Sequence, residues 1–212
     1  MRTLLLEPVD CLAPCFWGIT PDQTTLGEAK NIFTHLGLIM ENTSKIGNFE
    51  FYDIDYNFSS GLSISIILTT QNGIVKNLEV GISPEPQKAG IPREWLAYSP
   101  ETLINRYGTP SKVTFDDSGG PNPSYGTAIY FDSVDLIVFY VNSNLGPQLQ
   151  TCPLIDQMRH IGIWMGKNLR YPPEPNMIPL ETATSMTLEE FSKLMTGPLD
   201  RACFNLKKEV FP

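Results

Sequence analysis

Leu26, Ala29, Ile32, Phe33 and Leu36 recur at three- and four-residue intervals, a stripe that predicts an amphipathic helix. Thr25-Leu26-Gly27-Glu28 before it reads as a capping box, in which the Thr25 hydroxyl and the Glu28 carboxylate satisfy each other's backbone N–H groups. Gly37 stands where a left-handed C-cap belongs. A second helix opens with Ser99 as cap and Pro100 in the first turn, carries Leu103, Ile104 and Tyr107, and stops at Gly108. A third opens with the box Thr187-Leu188-Glu189-Glu190, carries Leu188, Phe191, Leu194 and Met195, and stops at Gly197-Pro198.

Between these rods the period changes to two. Residues 49–58 carry Phe49 and Phe51, then Ile54, Tyr56 and Phe58, with a phase slip that reads as a bulge. Leu62, Ile64, Ile66 and Leu68 alternate with smaller residues, and after Gln71-Asn72-Gly73 comes a partner strand with Leu78, Val80 and Ile82 on one face. A three-residue loop, Gln71 to Gly73, would pair Ile66 with Leu78 and Ile64 with Val80, keeping buried faces together. Residues 112–116, 126–131 and 134–141 read as further strands, the last apolar on both faces and therefore central. Residues 158–165 make one more, and Tyr171 to Pro179, with four prolines, forms an extended linker.

Local hairpins interspersed with helices predict the α+β class: antiparallel sheet with helices packed on one face. The chain divides into an N-terminal extension (1–15), two related helix-plus-meander units (16–88 and 89–170), and a Pro-rich linker with a C-terminal helix packing back on the sheet (171–212).

Composition narrows the function classes. Charged residues are only 18% of the 212, too few for a disordered polyelectrolyte. A net charge of −8 disfavours nucleic acid and anionic lipid as partners. No apolar run approaches the roughly 18–20 residues of a membrane span. The opening Met1-Arg2-Thr3-Leu4-Leu5-Leu6 is halted by Glu7, short of a signal-peptide core, so a removed leader or a lipid anchor stays open. Four cysteines, an even count without CxxC spacing, point to two disulfides and an extracytoplasmic, envelope or secreted location. Of three pairings the expected one is Cys11–Cys15 with Cys152–Cys203; the competing reading is four buried thiols in a reducing compartment.

Candidate chemistry is sparse. His35 and His160 fall on different elements, and no Gly-x-Ser-x-Gly, His-Glu-x-x-His, phosphate-loop or dinucleotide pattern occurs. Asp53 and Asp55 share a strand face, with Glu50 on the other, and solvated carboxylates are the plainer reading. The loop Asp116-Asp117-Ser118-Gly119-Gly120-Pro121-Asn122 is oxygen-rich like a calcium loop but lacks the spacing and closing glutamate of an EF-hand. No catalytic, cofactor or metal residue is assigned. Asn42-Thr43-Ser44 and Asn57-Phe58-Ser59 match the glycosylation sequon. Trp95 and Tyr98 are the candidate interface anchors.

The run Cys11-Leu12-Ala13-Pro14-Cys15-Phe16-Trp17-Gly18-Ile19-Thr20-Pro21-Asp22-Gln23-Thr24 resembles the C-x(2–3)-P-C-W-x-G-I-x-P-G-x-T start of a group of bacterial exported proteins, many of them lipoproteins. Asp22 stands where that group usually has glycine, and Val9-Asp10 before Cys11 do not make a lipobox. The tail from Pro179 through Met186-Thr187-Leu188-Glu189-Glu190-Phe191 to Cys203 resembles the group's ending. The helix-plus-meander unit is also similar to the repeat of β-lactamase-inhibitor-like proteins and small outer-membrane assembly lipoproteins, which are binding modules. The resulting expectation is a non-enzymatic extracytoplasmic binding or scaffold protein, a subunit or accessory of a larger assembly with a protein partner and no cofactor. The rival is a hydrolase built from scattered carboxylates. A cleft in which His35 or His160 meets an ordered nucleophile would speak against the first.

Overall fold

The computed structural model describes residues 11, 14–57, 63–83, 97–117, 124–143, 149–152, 158–167, 177–198, 202–207 and 209–210. Its centre is one antiparallel sheet of nine strands: β1 (Glu41–Ile46), β2 (Phe49–Asn57), β3 (Ser63–Gln71), β4 (Ile74–Ser83), β5 (Lys112–Asp117), β6 (Ser124–Phe131), β7 (Leu136–Ser143), β9 (Met158–Met165) and β10 (Ile178–Pro179). Their order across the sheet is β1-β2-β3-β4-β9-β7-β6-β5-β10. β9 therefore joins the two runs of hairpins, pairing with β4 on one side and β7 on the other. A separate two-stranded ribbon is formed by β8 (Gln150–Thr151) and β11 (Phe204–Asn205).

Among the described residues four α-helices accompany the sheet: α1 (Leu26–His35), α2 (Pro100–Tyr107), α3 (Leu180–Thr184) and α4 (Leu188–Met195). The α+β class with a dominant antiparallel sheet agrees with the alternation of periods in the sequence. Both capping boxes form. Glu28 N donates to Thr25 Oγ1 at 3.2 Å and Thr25 N to Glu28 Oε2 at 2.8 Å; Glu190 and Thr187 repeat these contacts at 3.2 and 2.8 Å. Ser99 caps α2 by accepting from Thr102 N at 3.1 Å. Hydrogen bonding to Thr25 holds the Glu28 carboxyl below its ordinary range.

One face of the sheet, the inner face, makes the main core. Tyr52 and Ile54, then Ile64, Ile66 and Leu68, then Leu78, Val80 and Ile82, continue through Ile161, Ile163 and Met165 to Val138 and Tyr140. Ala29 and Phe33 of α1, Leu103 and Ile104 of α2, Leu180 and Ala183 of α3, and Phe191 and Met195 of α4 belong to the same buried cluster. The N-terminal turn is laid along the β3–β4 hairpin: Leu26 N donates to Gly73 O, Val75 N to Thr24 O and Asp22 N to Val75 O. Lys76 and Asp22 close this join with an ion pair at 2.7 Å.

Three local expectations are corrected. The β3–β4 loop has two residues, Asn72 and Gly73, both at positive φ, because Gln71 pairs with Ile74. That twist suits the hairpin, and the register error it would cause is removed by a bulge that leaves Lys76 between the pairs Thr69–Asn77 and Thr70–Val75. Ile66 therefore faces Val80, Ile64 faces Ile82 and Leu68 faces Leu78. β2 carries no bulge; Phe49 and Phe51 point to the opposite, outer face, and the irregularity lies in β1 between Asn42 and Ser44. Residues 171–179 were expected to form a linker, yet their end, Ile178–Pro179, is the strand β10 beside β5.

Candidate functional site: the polar–apolar seam of the outer face

The outer face can be read row by row from the register. One row runs Asp53, Ile67, Glu79, Trp164, Ile137, Tyr130, Lys112. The next runs Asp55, Ser65, Gly81, Gly162, Phe139, Ala128, Thr114. A third begins Asn57, Ser63, Ser83 and continues with His160, Val141 and Gly126. On β2 to β4 these positions are mostly acids, serines and glycine. On β9, β7 and β6 they hold a second apolar cluster of Ala128, Tyr130, Ile137, Phe139 and Trp164, with Val141 and Met177 packed against it. The polar and apolar halves meet between β4 and β9.

Glycines shape this seam. A Cβ on Gly81 would lie 2.6 Å from Ser65 Oγ and 2.9 Å from His160 Cε1. A Cβ on Gly162 would collide with the Trp164 ring, and one on Gly126 with the Phe139 ring. The rings thus fold down over bare backbone, which buries aromatic area that a solvent-facing sheet surface would leave wet.

Two titratable groups sit at the seam. Burial pushes the Glu79 carboxyl up; the hydrogen bond from Trp164 works against this, and the Asp53 carboxylate adds to it. Burial pushes the His160 imidazole down. His160 Nδ1 lies 3.1 Å from Ser83 Oγ. A histidine kept neutral beside a serine hydroxyl has the reach of a base on a nucleophile. It is also what directly opposed side chains do in any antiparallel pair, since the β4–β9 register extended by one step sets Ser83 against His160. Among the described residues no third group bonds His160 Nε2 to orient the ring as a triad requires.

The signs of these shifts fix a pH response. A carboxyl raised in the folded state favours folding below about pH 4.5, and that contribution is lost as pH rises through the folded value. A histidine lowered in the folded state opposes folding as pH falls below about 6.5. Glu79→Gln is accordingly expected to raise the urea midpoint at pH 7 while leaving it unchanged near pH 4. A midpoint that falls at pH 7 would show that Glu79 is stabilised as the anion.

The remaining sequence candidates lie elsewhere. His35 is exposed at the end of α1, with Nδ1 2.7 Å from Asn31 O. Cys11 is bonded to Cys15 and Cys152 to Cys203. Tyr98 is half-buried, its ring 6.4 Å from Phe16 and its carbonyl accepting from Tyr140 OH. Burial pushes its phenol strongly up. Trp95 and most of the loop 116–122 lie outside the described residues. Among the described residues no three of His, Cys, Asp and Glu gather as a metal site needs, and no helix is long and apolar enough to cross a membrane.

A feature the sequence reading missed is an edge of the sheet that pairs with nothing among the described residues. β10 closes one side of the sheet with two residues, one of them Pro179, which has no N–H to offer. The other side ends on β1, six residues long, whose described side chains are all exposed. The large apolar side chains exposed among the described residues are Ile39 (77%), Ile46 (67%) and Phe49 (39%), and all three lie in or beside β1. Ile46 and Phe49 are a cross-strand pair at the tip of the β1–β2 hairpin. The signal available was the phase slip at Phe49 and Phe51, which put two aromatics on the wet face.

Comparison with protein-family models, with curated proteins and with solved structures gives no match.

Proposed function

We propose that this chain is a non-enzymatic, extracytoplasmic binding or scaffold protein, a subunit or accessory of a larger envelope or extracellular assembly. The observation that carries the reading is the gathering of Ile39, Ile46 and Phe49 at the edge strand β1, whose outer side pairs with nothing among the described residues. An open strand flanked by exposed apolar side chains costs solubility and invites pairing, so soluble proteins blunt or cover such edges. The two disulfides support an oxidising compartment. The resemblance of both chain ends to exported, lipoprotein-like proteins supports the same placement.

A second reading, a hydrolase, is favoured by the Ser83–His160 contact and by the raised carboxyl of Glu79. Against it stands the cross-strand origin of the contact.

One pair of measurements separates the two. The wild-type protein and an Ile46→Asp/Phe49→Asp variant are used to capture proteins from native membranes and culture supernatant. The wild type is expected to retain partners that the variant loses. In parallel, a fluorophosphonate probe is expected to leave Ser83 unlabelled. Labelling abolished by Ser83→Ala or by His160→Gln, with capture unaffected by the edge variant, would establish the hydrolase instead.

A further inference from the structure

The binding reading leaves open what covers the edge; resting on that reading, we infer that the occupant of β1 is β1 of a second copy, paired antiparallel across a two-fold axis so that two nine-stranded sheets become one. The backbone sets the shape of the occupant. Among the described residues nothing pairs with the outer side of β1, and a row of free N–H and C=O groups is complemented by another extended strand.

The side chains choose the second copy. Leu38 is buried and Met40 packs against the main core, so Ile39 and Glu41 point outward between and beyond them. Glu41 pairs with Asp53 on the outer face, and Asn42 is in register with Tyr52. The bulge at Thr43 then resets the alternation: Ser44 and Ile46 pair with Phe51 and Phe49 on the outer face, and Lys45 shares the inner side with Glu50. Directly opposed residues in an antiparallel pair lie on the same face. Because of the bulge, a two-fold register satisfies this while setting Ile39 against Ile46 and Glu41 against Ser44, each contact made twice. Asn42 and Thr43 then lie at the axis.

Two further features favour a closed pair. Lys45 would repel an incoming strand if bare, but Glu50 neutralises it at 2.9 Å. The opposite edge ends in the short, proline-containing β10, so the addition stops at two copies rather than running into a fibre. Each copy carries a net charge of −8, so the pair should tighten with added salt, which screens the long-range repulsion.

Sedimentation velocity over a concentration series tests this on the whole chain. The wild type is expected to dimerise reversibly. Ile39→Asp is expected to raise the dimer dissociation constant by about a hundredfold, tenfold at each of the two equivalent contacts. Both isoleucines are exposed, so the variant's circular dichroism should match the wild type. Thr43→Cys, near the axis, is expected to give a covalent dimer on a non-reducing gel. A wild type that stays monomeric at its highest soluble concentration, or a dimer indifferent to both substitutions, would overturn the inference. If it fails while the edge variant still loses captured partners, the binding reading survives with a different strand as occupant; if capture is also unaffected, both fall.

Discussion

Phe191→Ala is expected to remove about 3–5 kcal/mol of folding stability, a large share of the roughly 5–15 kcal/mol of an ordinary domain. Phe191 is fully buried on α4 and meets the Phe204 ring edge-on at 5.9 Å. Phe204 in turn meets Phe115 edge-on at 5.6 Å. These three rings connect α4, the β8–β11 ribbon and strand β5 of the main sheet, so removing the first leaves a cavity beside two side chains that cannot follow it. The loss would be read as a shift of the urea midpoint at unchanged slope. Phe49→Ala, at an exposed position, is expected to stay within about 0.5 kcal/mol of wild type. A loss at Phe191 below about 1 kcal/mol would mean that α4 is an appendage and not a part of the core.

The second large effect concerns the bridge between Cys152 and Cys203, which spans 51 positions of sequence. If a disulfide acts chiefly by restricting the unfolded chain, a loop of this length contributes about 4 kcal/mol. The Cys11–Cys15 bridge closes only 4 positions, for which the same relation gives about 2 kcal/mol. Replacing each pair by alanine and comparing urea midpoints should therefore rank the two, with Cys152→Ala/Cys203→Ala the costlier. The ranking has a folded-state reason as well, since Cys203 adjoins Phe204 and β11 pairs with β8 next to Cys152. Equal losses from the two double variants would show that loop length does not govern their contributions.

What could be read from the sequence divides along the range of the interaction that decides it. The capping boxes at Thr25 and Thr187, and the Ser99-Pro100 start, are settled within four residues, and each helix began where its cap stood. The inner faces of β3 and β4 were legible because period-two burial is local. Their register was not, because a turn of the favoured hand and a bulge at Lys76 exchange one residue between them and leave the same faces buried. β1 had no alternation to find: Glu41-Asn42-Thr43-Ser44-Lys45-Ile46 is a strand only because β2 lies beside it. The phase slip at Phe49 and Phe51 was visible but carried two explanations, a bulge in that strand or aromatics on both faces, and local pattern cannot separate them. The seam was out of reach entirely. Glu79 meets Trp164 and Ser83 meets His160 only because β9 inserts between β4 and β7, a pairing that no periodicity announces.

The insertion of β9 also orders events in time. As the chain emerges, β1 to β4 can zip by local hairpins, and so can β5 to β7. Until residue 165 has appeared, however, β4 and β7 each present a bare flank, and the main core is split along its middle. A newly made molecule thus passes through a stage of two half-sheets awaiting a keystone, the interval in which a holding chaperone would protect it from joining with its neighbours.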